Sequence, residues 1–366
     1  MNVSTASMIR SRATTLALVM LAAAVGMPRS AQARPLDPIA PSETARQLGE
    51  LTHVPFDGKA LEKADGWMSS CRRSIVTVQV TDTVTGETRA QNLTLIRPAK
   101  NAAPTPVMIL VPTMEGITPI ETSIASGFCD AQIATIIADV DDNSIPKVLP
   151  SWGLEDARNR YSILALRTTI DFAKTSPYFD SNRVGFMGLS LGAIMGSFIA
   201  GLEGERLAAM VLVLAGGDLP YILSVSDNSR VKEMRDGRIE AAGLKTNEEY
   251  EEILHQTVRY DPLHFASRAK PDKMLMVMSS NDTKVPTAMQ NDLYEAFGKP
   301  ENSVYKSGHV QTIISLTYWY FNTVTDFLGK KFQMQVKAPV AKGPFLLRAG
   351  ERAPEAPVGH PALGVQ

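Results

Sequence analysis

The sequence predicts an α/β protein built on a mostly parallel sheet with helices on both faces, and three observations carry that prediction. Unbroken apolar runs of strand length recur along the chain, helix-period segments separate them, and a pair of alternating segments precedes them all. A strand covered on both faces has no solvent side, so its apolar residues run together instead of alternating.

The elements follow in order. Residues 34–73 begin with Pro35, Pro38 and Pro41 and continue as a mixed polar stretch, read as an N-terminal arm carrying a short helix. Residues 74–80 alternate and are β-branched, the turn-rich TDTVTGE follows, and 92–98 alternate again, the pattern of an antiparallel hairpin. The buried-strand runs are 107–111, 133–140, 183–187, 208–215 and 274–280. Between the second and third, residues 155–174 set Ala157, Tyr161, Leu164, Ala165, Thr168 and Phe172 at helical spacing. A short strand at 302–306 and a helix at 312–328 complete the body, taken as 74–330. Residues 221–262 break the alternation. Polar, charged and helical, they read as an insertion between two strands, either a cover over a site or a surface excursion. The tail, 331–366, carries prolines and alanines without a period and is expected to be extended or disordered.

Charge and termini exclude several functions. Lys and Arg total 37 against 38 Asp and Glu, with no long run of one sign, so no nucleic-acid surface is expected. Residues 1–33 join Arg10 and Arg12 to an apolar run at 13–27 and end in Ala31-Gln32-Ala33, the layout of a secretory signal peptide cleaved near Ala33. That run is shorter than the roughly 20 residues that span a bilayer, so the expected product is secreted or periplasmic, without a stable membrane anchor. Cys71 and Cys129 are the only cysteines. In an oxidising compartment they form a candidate disulfide, with two buried thiols as the alternative. Neither has a second Cys or His at ligand spacing, so no metal is expected.

The chemistry centres on Gly188-Leu189-Ser190-Leu191-Gly192, a G-x-S-x-G between a strand and a small-residue helix. A serine on so tight a turn needs neighbours without bulk two residues to either side, and Gly188 and Gly192 stand there. Its hydroxyl also needs a base, and the base an orienting acid. Of the five histidines, His53, His255 and His360 read as surface positions and His264 as a packed residue. His309 follows the strand 302–306 beside Gly308, on a loop with room for the ring, and is the candidate base. Asp282, on the turn after the strand 274–280, is the candidate acid, with Asp218 as the competitor.

The order Ser190, Asp282, His309, with the segments around each, resembles serine esterases of the α/β-hydrolase superfamily, near its dienelactone-hydrolase-like and prolyl-oligopeptidase-like branches. The resemblance implies an α/β-hydrolase fold of eight strands, a lid-like insertion after strand six, and no cofactor. Members of that superfamily commonly carry His-Gly or a glycine run after strand three, whereas residues 110–116 here read LVPTMEG. The backbone N–H groups of Met114 and Leu191 are therefore the candidate oxyanion donors. The expected activity is hydrolysis of small-molecule or acyl esters. A peptidase, amidase, thioesterase or acyltransferase on the same residues, and a silent binding module, are the alternatives.

Overall fold

The computed structural model describes residues 40–68, 71–99, 104–140 and 154–335. The expected signal peptide, His360 and nearly all of the expected tail lie outside them. The strands are β1 (Leu61–Met68), β2 (Cys71–Thr81), β3 (Thr88–Pro98), β4 (Thr105–Val111), β5 (Ala134–Ala138), β6 (Phe179–Leu189), β7 (Ala209–Val213), β8 (Met274–Ser279) and β9 (Glu301–Tyr305). They form one sheet in the order β1-β2-β3-β5-β4-β6-β7-β8-β9. The pairs β1/β2, β2/β3 and β3/β5 are antiparallel, and every pair from β5 to β9 is parallel.

Among the described residues the sheet thus has nine strands where eight were expected, because part of the N-terminal arm pairs with it. Strand β1 has a single neighbour, and residues 61–66 are exposed, so LEKADG needs neither alternation nor an apolar run.

The helices are α1 (Pro41–Glu50), α2 (Pro119–Asp130), α3 (Leu154–Thr175), α4 (Leu191–Glu203), α5 (Leu219–Val225), α6 (Ser229–Ala242), α7 (Asn247–Thr257), α8 (Thr287–Ala296), α9 (His309–Tyr318) and α10 (Asn322–Phe332). Two apolar clusters cover the sheet. On β4, Val107, Ile109 and Val111 join the cluster that includes Leu164 of α3 and Phe198 of α4. Met108 and Leu110, facing the other way, join Phe128 of α2, Leu316 of α9 and Phe327 of α10. Burial on both faces is the physical cause of the unbroken runs.

The helix expected at 312–328 is broken in two. Trp319 and Tyr320 N–H groups both donate to the Ser315 carbonyl, closing α9, and the chain turns so that the Phe321 ring meets Phe128 with centroids 5.1 Å apart. Cys71 and Cys129 are joined as a disulfide with their Cα atoms 6.5 Å apart, tying the start of β2 to the end of α2. Among the described residues, no helix is long and apolar enough to cross a membrane.

The 221–262 segment is built as α5, α6 and α7, beginning at Leu219, two residues earlier than expected. Their N-caps are Asp218, Asn228 and Thr246, each side chain accepting from a backbone N–H of its own first turn.

Candidate active site

Strand β6 ends against helix α4 at a single residue, Ser190, whose backbone is forced to φ 52° and ψ −112°. Such a conformation is costly for a residue with a Cβ and persists only where its surroundings fix it. Here the Ser190 N–H donates to the Val213 carbonyl at 2.9 Å, and the Ser190 carbonyl accepts from Ala193 and Ile194. The two flanking glycines are required sterically. A Cβ on Gly188 would lie 2.2 Å from the Gly192 carbonyl oxygen, and one on Gly192 would lie 2.3 Å from that of Val111.

Parallel pairing then brings distant parts of the chain to this turn. Strands β6, β7, β8 and β9 are consecutive neighbours, so the loops at their carboxyl ends cluster above one edge of the sheet. The His309 ring bridges two of them: Nε2 lies 2.8 Å from Ser190 Oγ and Nδ1 lies 2.7 Å from Asp282 Oδ2. The Asp282 side chain is fully shielded from solvent, yet its oxygens also accept from the Lys284 and Val285 N–H groups and from Gln290 Nε2, at 2.9, 3.0 and 2.9 Å. Such a set of donors replaces the water that a buried carboxylate gives up.

Gln290 is the residue that sequence reasoning did not find. Fully buried on α8, it donates to Asp282 Oδ2 and the Val285 carbonyl and accepts from the Ser279 N–H at 3.1 Å. One amide therefore ties the end of β8 to the acid that follows it. A second link runs from Ser279 Oγ to the Ser307 carbonyl, joining the acid loop to the loop before His309.

The other candidates lie elsewhere. Asp218 caps α5 and faces His255, with His255 Nε2 4.0 Å from Asp218 Oδ1. His264 is half-buried in a short 3-10 turn. His53 is not a surface residue: its Nε2 meets Asp171 Oδ2 at 2.9 Å with about a tenth of each side chain exposed. Burial by itself would raise Asp171, but hydrogen bonds from His53, Arg206 and the Phe56 N–H override it and hold the carboxyl far below the usual range. That cluster joins the N-terminal arm to α3 and does not reach Ser190.

Two backbone donors remain. Thr113 and Gly116 close a four-residue turn through Gly116 N–H and the Thr113 carbonyl at 3.0 Å. Glu115 N–H donates to Thr113 Oγ1, and Thr113 N–H to the buried Glu121, whose carboxylate also accepts from Thr118 as the partner of a capping box. At the elbow, Gly192 N–H donates to the Pro112 carbonyl at 3.1 Å. Among the described residues, the Met114 and Leu191 N–H groups are left without an acceptor in these two segments. The Gly192–Pro112 bond holds the two segments together, beside Ser190. A cavity of about 20 Å³, room for about one water, lies against them, lined in part by Thr113, Asp139, Leu191 and Gly192.

No protein-family model and no curated protein matches the sequence. Solved structures do match. Acetyl xylan esterase 1 from Thermoanaerobacterium sp. JW/SL YS485 superposes with a TM-score of 0.59 at 18% identity, over 80% of this chain and 93% of its own. Acetyl xylan esterase from Paenibacillus sp. R4 gives 0.58 at 18% identity, over 79% and 92%. A 2,6-dihydroxy-pseudo-oxynicotine hydrolase gives 0.51 at 17% identity, over 74% and 72%.

The chain has the α/β-hydrolase fold. In its α/β-hydrolase sheet the turn after β4 stands where the turn after strand three was expected, and α5–α7 follow β7 instead of strand six, because β1 shifts the count by one. Beneath the α5–α7 segment lies a pair of buried acids. Burial raises the Asp218 carboxyl to about 6, helped by the charge of Asp261, and burial raises Asp261 as well. His255 is raised by its hydrogen bond to Glu251 and by the Asp218 charge, while burial lowers His264. Asp261 accepts from the Asp218 and Leu219 N–H groups at 3.1 and 2.6 Å, so it anchors the start of α5 to the body.

Proposed function

We propose that the protein is an exported carboxylic-ester hydrolase that works through an acyl-enzyme on Ser190. The observation that carries this reading is the unbroken hydrogen-bonded chain from Asp282 through His309 to Ser190, ending beside two backbone N–H groups that have no acceptor among the described residues. The Ser190 oxygen attacks the ester carbonyl carbon while His309 Nε2 takes its proton, and Asp282 holds the imidazole in the orientation that makes this acceptance direct. The carbonyl π electrons move onto oxygen, and the Met114 and Leu191 N–H groups donate to the charge that develops there. The N-terminus of α4 begins at the same point, and its dipole favours that negative charge. Collapse of the intermediate expels the alkoxide, which takes its proton from His309. Water then attacks the acyl-enzyme by the same sequence and returns the free serine.

The ester reading is supported by the solved structures of like fold, two of which are acetyl xylan esterases by name. Export is supported by the signal-peptide layout of residues 1–33 and by the Cys71–Cys129 bond, which persists in oxidising compartments. Ser190→Ala is expected to lower turnover of p-nitrophenyl acetate by about 10⁴–10⁶-fold. Undiminished hydrolysis by that variant overturns the mechanism. A panel of matched esters, thioesters and anilides distinguishes ester hydrolysis from the other acyl transfers, with esters expected to turn over fastest.

A further inference from the structure

The α5–α6 connection touches both loops that serve Ser190. On one side Asp227 N–H donates to the Thr283 carbonyl at 3.2 Å and Thr283 Oγ1 donates back to Asp227 Oδ2 at 2.5 Å. Thr283 directly follows Asp282. On the other side Arg230 Nη1 donates to the Met114 carbonyl. Four residues, 227–230, thus join the acid loop to the turn that offers the Met114 N–H.

This connection is itself held in shape. Asn228 Oδ1 accepts from the Arg230 and Val231 N–H groups at 3.0 and 3.3 Å, fixing the first turn of α6 from which Arg230 projects. Buried Arg235 donates from Nη1 to the Ser224 and Ser226 carbonyls at 3.0 and 3.1 Å, binding the end of α5 to α6.

The Met114 carbonyl is a consequential place to hold. In the Thr113–Gly116 turn, Met114 and Glu115 occupy the two central positions, and neither has a positive φ, which excludes type II and the mirror-image turns. Because the peptide is planar and trans, the Thr113 carbonyl points into the turn and the Met114 N–H points out of it. The Met114 carbonyl belongs to the central peptide, joined through the Met114 Cα to the peptide that carries the Met114 N–H, so a bond to that oxygen from α6 holds the turn where it lies. Within the turn, the Gly116 N–H bond to the Thr113 carbonyl and the 3.4 Å bond from Glu115 N–H to Thr113 Oγ1 are both local, and the Arg230 bond ties the turn to a helix outside it.

We propose that Arg230 is a positioning residue for acyl transfer: by tying the Met114 carbonyl to α6 it holds the Thr113–Gly116 turn, and with it the Met114 N–H, in place against the substrate's developing oxyanion. The α5–α7 segment is then part of the catalytic apparatus, completing the oxyanion site from outside the sheet. This inference rests on the acyl-enzyme reading of Ser190.

The test compares Arg230→Gln and Arg230→Lys with the parent enzyme on p-nitrophenyl acetate, with inhibition by phenylboronic acid and thermal melting alongside. The boronate forms a tetrahedral adduct on the serine oxygen, so its affinity reports the oxyanion site. Arg230→Gln is expected to lower kcat by about 10–100-fold, somewhat less than outright loss of an oxyanion donor, with KM changed by less than about threefold. Boronate affinity is expected to fall by a similar factor. Lysine, which still offers a donor and a charge, is expected to restore part of both, and it supplies the reading if the glutamine variant fails to fold. Parent-like kcat and boronate affinity in Arg230→Gln overturn the proposal, as does a kcat loss with boronate affinity unchanged. If Ser190→Ala is inactive while Arg230→Gln is parent-like, only the role of Arg230 fails. If Ser190→Ala remains active, or the parent neither hydrolyses esters nor takes a fluorophosphonate, the reading of Ser190 fails and this one with it.

Discussion

Replacing Asp218 by Asn is expected to stabilise the protein, and to do so more at pH 7.5 than at pH 4.5. Asp218 is a buried carboxyl held at about 6 against an ordinary 3.8, chiefly by burial and next to the second buried acid, Asp261. The folded state therefore holds this proton more tightly than the unfolded chain does. Stability from the neutral form is complete below the unfolded value, is lost as pH rises between about 4 and 6, and is gone above that window. A rise of about two units costs on the order of 3 kcal/mol once both states are ionised, and roughly a third of that at pH 4.5. Asn removes the charge and keeps the architecture: it caps a helix as well as Asp, and it tolerates the left-handed backbone that Asp218 adopts at φ 57°. The attraction between ionised Asp218 and His255 is already contained in that raised value, and it is absent at pH 4.5, where Asp218 is neutral. A gain about 2 kcal/mol larger at pH 7.5 than at pH 4.5 corresponds to roughly 3–6 °C in melting temperature. Thermal melts of both proteins at the two pH values read it directly. An equal shift at both pH values, or a lower melting point for Asp218→Asn at pH 7.5, would refute the argument from buried charge.

Two further substitutions probe the site's supports. Gln290→Ala leaves the buried Ser279 N–H and Val285 carbonyl without their partner, and is expected to cost about 2–4 kcal/mol in chemical denaturation and to lower kcat about tenfold. A parent-like kcat would show that Asp282 holds His309 without help from Gln290. Gly192→Ala drives a methyl group against the Val111 and Pro112 carbonyl oxygens, neither of which can yield without moving β4. It is expected to destabilise the fold by about 1–3 kcal/mol and to lower kcat at least a hundredfold, because the same shift breaks the Gly192–Pro112 bond between the two donors. Full activity in Gly192→Ala would mean that the elbow tolerates separation from β4.

The central strands were legible in the sequence because burial on both faces leaves a mark that needs no partner to be read. Residues 107–111 and 274–278 are apolar throughout, and they make up most of β4 and β8. Strand β1 left no such mark, since an edge strand with exposed side chains is chosen by its neighbour's free hydrogen-bonding groups and not by its own pattern. The break between α9 and α10 was also illegible. Helical spacing continues across it, and the rings that meet at the break, Phe321 on Phe128 and Tyr320 on Tyr305, come from distant elements.

The site divides in the same way. The motif around Ser190, the glycines beside it, and the chain order of Ser190, Asp282 and His309 were fixed locally, by what a tight turn excludes and by which loops follow strands. That order cannot set a distance. The 2.7 and 2.8 Å contacts of His309 exist because parallel strands β6 to β9 lie side by side, which sets loops 119 and 27 residues away against one imidazole. The supports were beyond reach for a further reason. Gln290, Arg230 and Asp218 are polar residues on or beside helices, and nothing in their own segments distinguishes a side chain that meets water from one that meets Asp282, Met114 or His255. A polar group's role is decided by the partner that replaces its water, and the partner is supplied by tertiary structure alone.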